Sequence, residues 1–213
     1  MMPNRILLVD DDPTVLEGFP IYLSTTDDLQ IVATATTGKI AAEWLNTHSC
    51  DLVLSDIHMP DMNGIELLHC VQRLNSPPLF VAMTAYDTDE TMVQALRLGA
   101  VGYIIKGETP NAIIFSLRDA LNGGTSISPD CLQRLLPDTP STNKSFEEVR
   151  KLLNLTSREQ AVITLLCEGN TNIQIAHKLN FAEITIRKTI SSLFAKYGAS
   201  NRVELVVKHL SYT

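Results

Sequence analysis

The sequence predicts an α/β domain built on a five-stranded parallel sheet, followed by an all-α domain of four helices. Five short apolar runs alternate with helix-like segments in the first 124 residues, and helix-like segments alone follow residue 150. The balance of charge also changes along the chain. Residues 1–130 hold 6 Lys and Arg against 17 Asp and Glu, a net charge of −11, whereas residues 131–213 hold 11 against 7, a net charge of +4. This asymmetry indicates two units with different partners.

The five apolar runs have the length and composition of buried β-strands. Strands that alternate with helices pair in parallel, and helices then cover both faces of the sheet. The runs lie at residues 6–9, 29–33, 52–54, 79–82 and 103–105.

Helices of the first half have recognisable start signals. Asp12 is placed to cap a helix with Pro13 at its first position, and Asn63 precedes another helical segment. Pro20 lies inside the first helix, where its ring would clash with the carbonyl of Leu16. We therefore expect a kink in this helix.

A change in composition separates the two halves. Residues 123–144 are rich in Gly, Pro, Ser and Thr, a composition typical of a linker, with one short helix predicted at about 131–136. The predicted boundaries are 1–124 for the first domain, 125–150 for a linker with short helices, and 151–213 for the second domain.

Two capping-box patterns open the second half. Ser145 with Glu148 and Thr156 with Glu159 each fit the pattern, in which the two side chains bond each other's backbone amides. The predicted helices lie at about 146–153, 157–168, 172–179, 183–197 and 202–210.

Composition limits the possible functions. The net charge of −7 alone argues against a nucleic-acid partner, but the two halves differ in sign. The four cysteines include no C-x-x-C pair, so neither a zinc site nor a disulfide framework is indicated. No apolar run approaches the roughly 18 residues that span a bilayer. We expect a cytoplasmic protein without a membrane partner.

Polar residues end four of the predicted strands. Asp10 and Asp11 follow the first run, and Asp56, Thr84 and Lys106 end the third, fourth and fifth. Ligands bind at this edge of a parallel sheet. Carboxylates gathered there repel one another unless a cation neutralises them, and Mg²⁺ prefers oxygen ligands and couples to phosphate chemistry. The sequence therefore predicts a Mg²⁺ site.

Four segments of the first half together resemble the receiver domain of two-component response regulators, which has a flavodoxin-like fold. They are ILLVDD at 6–11, DLVLSDIHMPDMNG at 51–64, MTA at 83–85 and LGAVGYIIK at 98–106. The resemblance implies that Asp56 accepts a phosphoryl group from a sensor histidine kinase. It also implies that Mg²⁺ is bound by Asp10, Asp11, Asp56 and the backbone carbonyl of His58.

The same resemblance implies a switch. Thr84 and Lys106 would bind phosphoryl oxygens, and Tyr103 would rotate inward. Phosphorylation adds about −1.5 to −2 charge units and three acceptor oxygens, which is enough to bias a two-state arrangement. We further hypothesise that His58 and Tyr86 set the lifetime of the phosphoryl group.

The helical half contains a helix-turn-helix pattern. Two short helices are separated by residues 180–182, which fits the motif. Apolar residues on the second helix form one stripe, composed of Ile186, Ile190, Leu193 and Tyr197. The opposite face carries small, polar and basic residues suited to a major groove, namely Thr185, Lys188, Ser191, Ser192 and Ala195, with Arg187 at its edge.

This half resembles the LuxR-type helix-turn-helix, through LTSRE at 155–159 and TIRK at 185–188. Joined to a receiver, it resembles a NarL/FixJ-type regulator that binds promoter DNA. The resemblance implies that Arg187, Lys188 and Ser191 face bases and that Lys196 contacts phosphate. Thr189 departs from the His often found in the family, and Ile184 from the usual Gly.

The family pairs through its last helix, which implies a homodimer on phosphorylation. On that helix we expect Val203, Val206, Val207 and Leu210 to be buried and Leu205 to point the other way. Leu205 is therefore predicted to lie at a dimer contact.

Two other readings stay open. An enzyme with an aspartyl-phosphate intermediate typically needs a second acid two residues after the nucleophile, where this chain has His58, and no Gly-rich phosphate loop is evident. We therefore expect a protein that is not an enzyme. The other alternative is an atypical receiver that is regulated by protein contacts without phosphorylation.

Overall fold

The computed structural model describes residues 2–85, 89–124, 153–199 and 201–210. The chain divides into two compact units, Met1–Leu121 and Asn122–Thr213. The predicted helices at 131–136 and 146–153, most of the predicted linker and Tyr86 lie outside the described residues. The boundaries 1–124, 125–150 and 151–213 therefore remain a prediction.

The first unit is built on a five-stranded parallel sheet, as predicted. Its strand order is β2-β1-β3-β4-β5, so the switch in strand order falls between β1 and β3. Ligands of such sheets bind at the carboxyl ends of the strands that flank this switch. The strands are β1 (Asn4–Val9), β2 (Leu29–Ala35), β3 (Leu52–Asp56), β4 (Leu79–Thr84) and β5 (Gly102–Ile105).

Five helices alternate with these strands, and side-chain caps are present at both starts that the sequence indicated. The Asp12 carboxylate accepts a hydrogen bond from the amide of Thr14 at 2.8 Å, so Asp12 acts as a cap. Asn63 and Glu66 form a capping box. Pro20 lies inside the first helix, as the sequence indicated. The helices are α1 (Pro13–Leu23), α2 (Gly38–Leu45), α3 (Gly64–Gln72), α4 (Asp89–Arg97) and α5 (Pro110–Leu121).

Alternate residues of the central strands form the core on one face of the sheet. Ile6 and Leu8 of β1 lie in one cluster with Phe19 of α1 and with Ile113 and Leu117 of α5, all buried. Full burial of such a side chain stabilises the fold by roughly 1.5–3 kcal/mol. This packing holds the carboxyl ends of the strands in a fixed arrangement.

The described residues of the second unit form four helices at the predicted positions. Capping boxes open α6, through Thr156 and Glu159, and α7, through Thr171 and Gln174. Asn180, with φ 55°, ends α7 in the left-handed conformation that Asn tolerates. The helices are α6 (Ser157–Cys167), α7 (Asn172–Leu179), α8 (Glu183–Tyr197) and α9 (Arg202–Leu210). No helix in the described parts of the chain is long and apolar enough to cross a bilayer.

Leu205 on α9 does not lie where the sequence analysis placed it. Its side chain is fully buried, whereas Val207 and Leu210 are half-buried. The expectation that Leu205 points away from the core was wrong, and a side chain with no exposed surface offers nothing to a second copy. The expectation placed the buried residues of α9 on one side of the helix. Because α9 packs against both α6 and α8, a wider arc of its surface is buried.

Candidate functional site

Three carboxylates lie together at the carboxyl ends of β1 and β3. Asp10 follows β1, and Asp56 ends β3, which pairs directly with β1. Carboxylate oxygens of Asp10, Asp11 and Asp56 lie within 4.8 Å of one another. Asp10 and Asp56 are buried, and Asp11 is exposed. The structure thus brings together the three carboxylates that were predicted from their positions at the ends of strands.

The ammonium group of Lys106 lies against two of these carboxylates. Its nitrogen is 2.8 Å from Oδ2 of Asp56 and 2.8 Å from Oδ2 of Asp10. The backbone amide of Lys106 donates to the carbonyl of Thr84 at 2.8 Å, which ties the residue to the end of β4. The long side chain therefore reaches from β5 to the ends of β1 and β3.

Burial and hydrogen bonding shift the pKa values of Asp10 and Lys106 in opposite directions. Burial raises the pKa of Asp10, and hydrogen bonds from Lys106 and from the amide of Asp12 offset part of that rise. Burial alone would lower the pKa of Lys106, but its hydrogen bonds to Asp10 and Asp56 outweigh this and raise it. Lys106 therefore stays protonated at neutral pH.

The cluster fits a divalent cation. When ionised, the three carboxylates carry three negative charges, and the Lys106 ammonium balances one of them. The remaining charge and the all-oxygen donor set are those that Mg²⁺ and similar hard cations prefer. The side chains of Asp10, Asp11 and Asp56 are thus compatible with divalent metal binding.

A glycine fixes the loop that follows Asp56. A Cβ atom on Gly64 would lie 2.2 Å from the carbonyl oxygen of Asp56, so only glycine fits there without a shift of the backbone. The amide of Gly64 donates to the carbonyl of Ile57 at 3.0 Å. The local sequence predicts only a helix start at this position. The close approach depends on the folded loop and has no local signal.

The remaining predicted residues of this edge lie on β4, on β5 and in the loop after β3. Thr84 is fully buried at the end of β4, and Tyr103 is half-buried on β5, paired in register with Ala82. The exposed residue His58 donates its backbone amide to Oδ1 of Asp56 at 3.1 Å. The roles of Thr84, Tyr103 and the His58 carbonyl remain predictions.

The second unit presents a polar and basic helix face. The predicted stripe of Ile186, Ile190, Leu193 and Tyr197 on α8 is buried. Arg187, Lys188 and Ser191 are exposed on the other side, and Thr185 is half-buried. Arg187 donates to the Glu183 carboxylate one turn earlier at 2.7 Å. This ion pair orients the guanidinium along the helix.

Lys196 forms hydrogen bonds within the second unit that the sequence did not predict. Its ammonium donates to the carbonyl of Asn154 and to the carboxylate of Glu159, both at 2.7 Å. Ser192 donates to the other oxygen of Glu159, also at 2.7 Å. Glu159 and Lys196 are 37 residues apart, so no local pattern could have paired them. A contact between Lys196 and phosphate remains a prediction.

Comparisons with known proteins cover both units. Residues 6–118 match the response regulator receiver domain, and residues 153–209 match the bacterial regulatory proteins of the luxR family. The transcriptional regulatory protein YdfI of Bacillus subtilis is 30% identical over 206 residues, which cover 95% of this chain and 93% of that protein. The nitrate/nitrite response regulator protein NarL of Escherichia coli K12 is 30% identical over 205 residues, covering 96% of this chain and 94% of NarL.

A solved structure agrees with these relatives. The response regulator ChrA of a heme-sensing two-component system is similar over 98% of this chain and 96% of ChrA, with 25% identity and a TM-score of 0.51. The receiver match alone spans more than half of the chain, and the luxR match accounts for the helical unit. The chain therefore belongs to the NarL-type response regulators, transcriptional regulators in which a receiver domain precedes a LuxR-type DNA-binding domain.

Proposed function

We propose that phosphorylation of Asp56 by a sensor histidine kinase controls the DNA binding of this regulator. The observation that carries the proposal is the contact of Lys106 with Asp56 and Asp10 beside the three-carboxylate cluster. Phosphoryl transfer to a carboxylate depends mainly on positioning and on cations that neutralise the charged oxygens. In this site Asp56 would be the acceptor, and the Lys106 ammonium beside it would be the cation.

The transfer reaction needs little from the protein beyond this geometry. An oxygen of Asp56 forms the bond to phosphorus as the bond between phosphorus and the kinase histidine breaks. Mg²⁺, held by Asp10, Asp11, Asp56 and the His58 carbonyl, would neutralise charge on the phosphoryl oxygens. Lys106 would move from the Asp56 carboxylate to those oxygens.

The switch follows from the new charge at Asp56. Three phosphoryl oxygens would draw Thr84 and Lys106 toward them, from the adjacent ends of β4 and β5. Tyr103 on β5 would then change its rotamer and report the change to the surface. We include homodimer formation on phosphorylation in the proposal, without assigning its surface.

DNA binding belongs to α8 in this proposal. Arg187, Lys188 and Ser191 are exposed on one side of the helix and would face base edges. Thr185 would enter the major groove with them, and Lys196 would contact the phosphate backbone of promoter DNA. Glu183 would hold Arg187 in position before DNA binds.

The experiment compares full-length wild type with Asp56→Asn and Asp61→Asn. Each protein is incubated with a small-molecule phosphodonor and Mg²⁺, then examined by intact mass and by binding to DNA selected from a random pool. Asp61 is an exposed carboxylate of the same loop, and Asn tolerates its positive φ. We expect wild type and Asp61→Asn to gain one phosphoryl group and to bind DNA more tightly.

The Asp56→Asn protein should gain no mass and keep the weaker binding. If wild type gains no phosphoryl group but binds its selected sequence, the receiver acts through protein contacts. If it gains the group without any change in DNA binding, the proposed switch is wrong.

A further inference from the structure

Ile184 is an aliphatic residue in an unusual place on α8. It is the second residue of that helix, and 60% of its surface is exposed. A single exposed aliphatic residue is common on a protein surface and needs no explanation. The position of Ile184 relative to its charged neighbours makes it informative.

Ile184 lies at the N-terminal end of the exposed face of α8. Ile184, Lys188, Ser191 and Ala195 follow the spacing i, i+4, i+7 and i+11, so they form one stripe opposite the buried stripe. All four are exposed, and exposed Arg187 borders them one turn from Ile184. The nearest side chains on this face of α8 are therefore charged, namely Arg187 and Lys188, with Glu183 paired to Arg187.

We propose that Ile184 is a specificity-determining residue that contacts the methyl group of a thymine in the major groove. The inference rests on the proposed DNA binding by α8. Residues near the start of a recognition helix reach base edges, and among the four bases only thymine offers a methyl group in that groove. An aliphatic side chain forms no hydrogen bond with the other bases, so it favours thymine through apolar contact.

The basic surroundings favour DNA over a protein as the occupant of this surface. Arg187 and Lys188 would repel a basic partner and attract phosphates, and residues 131–213 carry a net charge of +4. Phe181, an exposed aromatic residue nearby in sequence, has a protein contact, because the Arg158 guanidinium lies 5.9 Å from its ring centre. Ile184 instead lies next to Arg187 and Lys188, whose side chains are of the kind that bind nucleic acid.

The test replaces thymine with deoxyuridine, which lacks only the methyl group. Full-length wild type, Ile184→Ala and Ile173→Ala are phosphorylated and bound to the selected duplex, with each thymine of one half-site replaced in turn. Ile173 is the matched control, because it is an exposed isoleucine of α7. Both isoleucines are exposed, so neither substitution removes a core side chain.

At one thymine, deoxyuridine should weaken binding by wild type and Ile173→Ala about fourfold, the effect of burying one methyl group. Ile184→Ala should bind the two duplexes equally. The inference is overturned if Ile184→Ala keeps the fourfold difference, or if no thymine shows one in wild type. Failure to select any sequence would overturn the proposed DNA binding as well, whereas specific binding without methyl dependence overturns only the role of Ile184.

Discussion

At the residue scale, Asp10 shows how the acidic site is balanced. Burial raises its pKa, so its ionised form is less favourable in the folded protein than in the unfolded chain. Stability that depends on protonated Asp10 is present at low pH and is lost as the pH rises through the folded pKa. At neutral pH the site therefore holds a buried negative charge that only Lys106 and the backbone compensate, unless a cation binds.

We predict that Asp10→Asn separates folding stability from metal binding. In EDTA at pH 7, Asp10→Asn should raise the free energy of unfolding, because burial disfavours the ionised carboxylate while Lys106 keeps Asp56 as its partner. Mg²⁺ should stabilise wild type by about 2.7 kcal/mol at a concentration 100-fold above its Kd, and should stabilise Asp10→Asn much less. Urea unfolding followed by the fluorescence of Trp44, in the first unit, measures both effects.

Asp61→Asn is the control for this comparison. It removes an exposed carboxylate from the loop between β3 and α3 and should keep the wild-type response to Mg²⁺. Equal stabilisation of Asp10→Asn and wild type by Mg²⁺ would show that the cation binds elsewhere.

The pKa of Glu159 is lowered, whereas that of Asp10 is raised. Burial would raise its pKa, but hydrogen bonds from Lys196, Thr156 and Ser192 outweigh this and lower the pKa to about 2. Its contribution to stability is therefore present above the unfolded pKa, near 4.5, and is lost as the pH falls toward 2.

We predict that Glu159→Gln destabilises the second unit by about 1–2 kcal/mol at pH 7, because charged hydrogen bonds are lost. The difference from wild type should shrink as the pH falls below 4.5. Hydrogen exchange of α6 and α8 in the full chain reports this change. Glu204→Gln removes a half-buried i,i+4 partner of Lys208 and should change stability by less than about 0.5 kcal/mol. Equal effects of the two substitutions would contradict the role of Glu159.

At the scale of elements, the connection between β3 and α3 positions Asp56. The capping box of Asn63 and Glu66 fixes the start of α3, and Gly64 allows that start to approach the Asp56 carbonyl. Asp56, the proposed phosphoacceptor, is therefore held from both sides, by the sheet before it and by the helix after it.

We predict that Gly64→Ala destabilises the first unit by about 2 kcal/mol or more, because a Cβ atom 2.2 Å from a backbone oxygen forces the loop to move. It should also slow phosphorylation of Asp56. Gly18→Ala is the matched control. Gly18 lies in α1 with nothing within 4 Å of an added Cβ, so alanine should stabilise the helix by about 0.5–1 kcal/mol. Urea unfolding and intact mass measure the two effects, and wild-type behaviour of Gly64→Ala would contradict the steric argument.

At the scale of the whole molecule, what the sequence could predict depended on the range of the interaction. Strands and helix starts follow from local patterns, so the five strands and the caps at Asp12, Asn63 and Thr156 were predictable. Strand-end positions also predicted the carboxylate cluster, because parallel topology gathers those ends. Burial of Leu205 and the pairing of Glu159 with Lys196 depend on several helices meeting, which no local pattern encodes.

The two halves of the molecule carry opposite net charges, and the positive charge of the second half predicts that DNA binding depends on salt concentration. Binding of DNA by the second unit releases counterions, so the logarithm of the binding constant should fall linearly with that of the salt concentration. The Lys196 ammonium has three N–H donors, and Asn154 and Glu159 accept from it. One donor therefore remains for a phosphate.

We predict that Lys196→Gln lowers the magnitude of this salt slope by about 0.9 per subunit, the value for one lost phosphate contact. Fluorescence anisotropy of the phosphorylated full chain on its selected DNA, over a range of salt concentrations, measures the slope. Lys208→Gln is the control, because Lys208 on α9 also pairs with protein groups, Gly198 and Glu204, and should leave the slope unchanged. A Lys196→Gln protein with the wild-type slope but faster hydrogen exchange in α6 and α8 would mean that Lys196 serves only to neutralise Glu159. The phosphate contacts of α8 would then have to come from other residues.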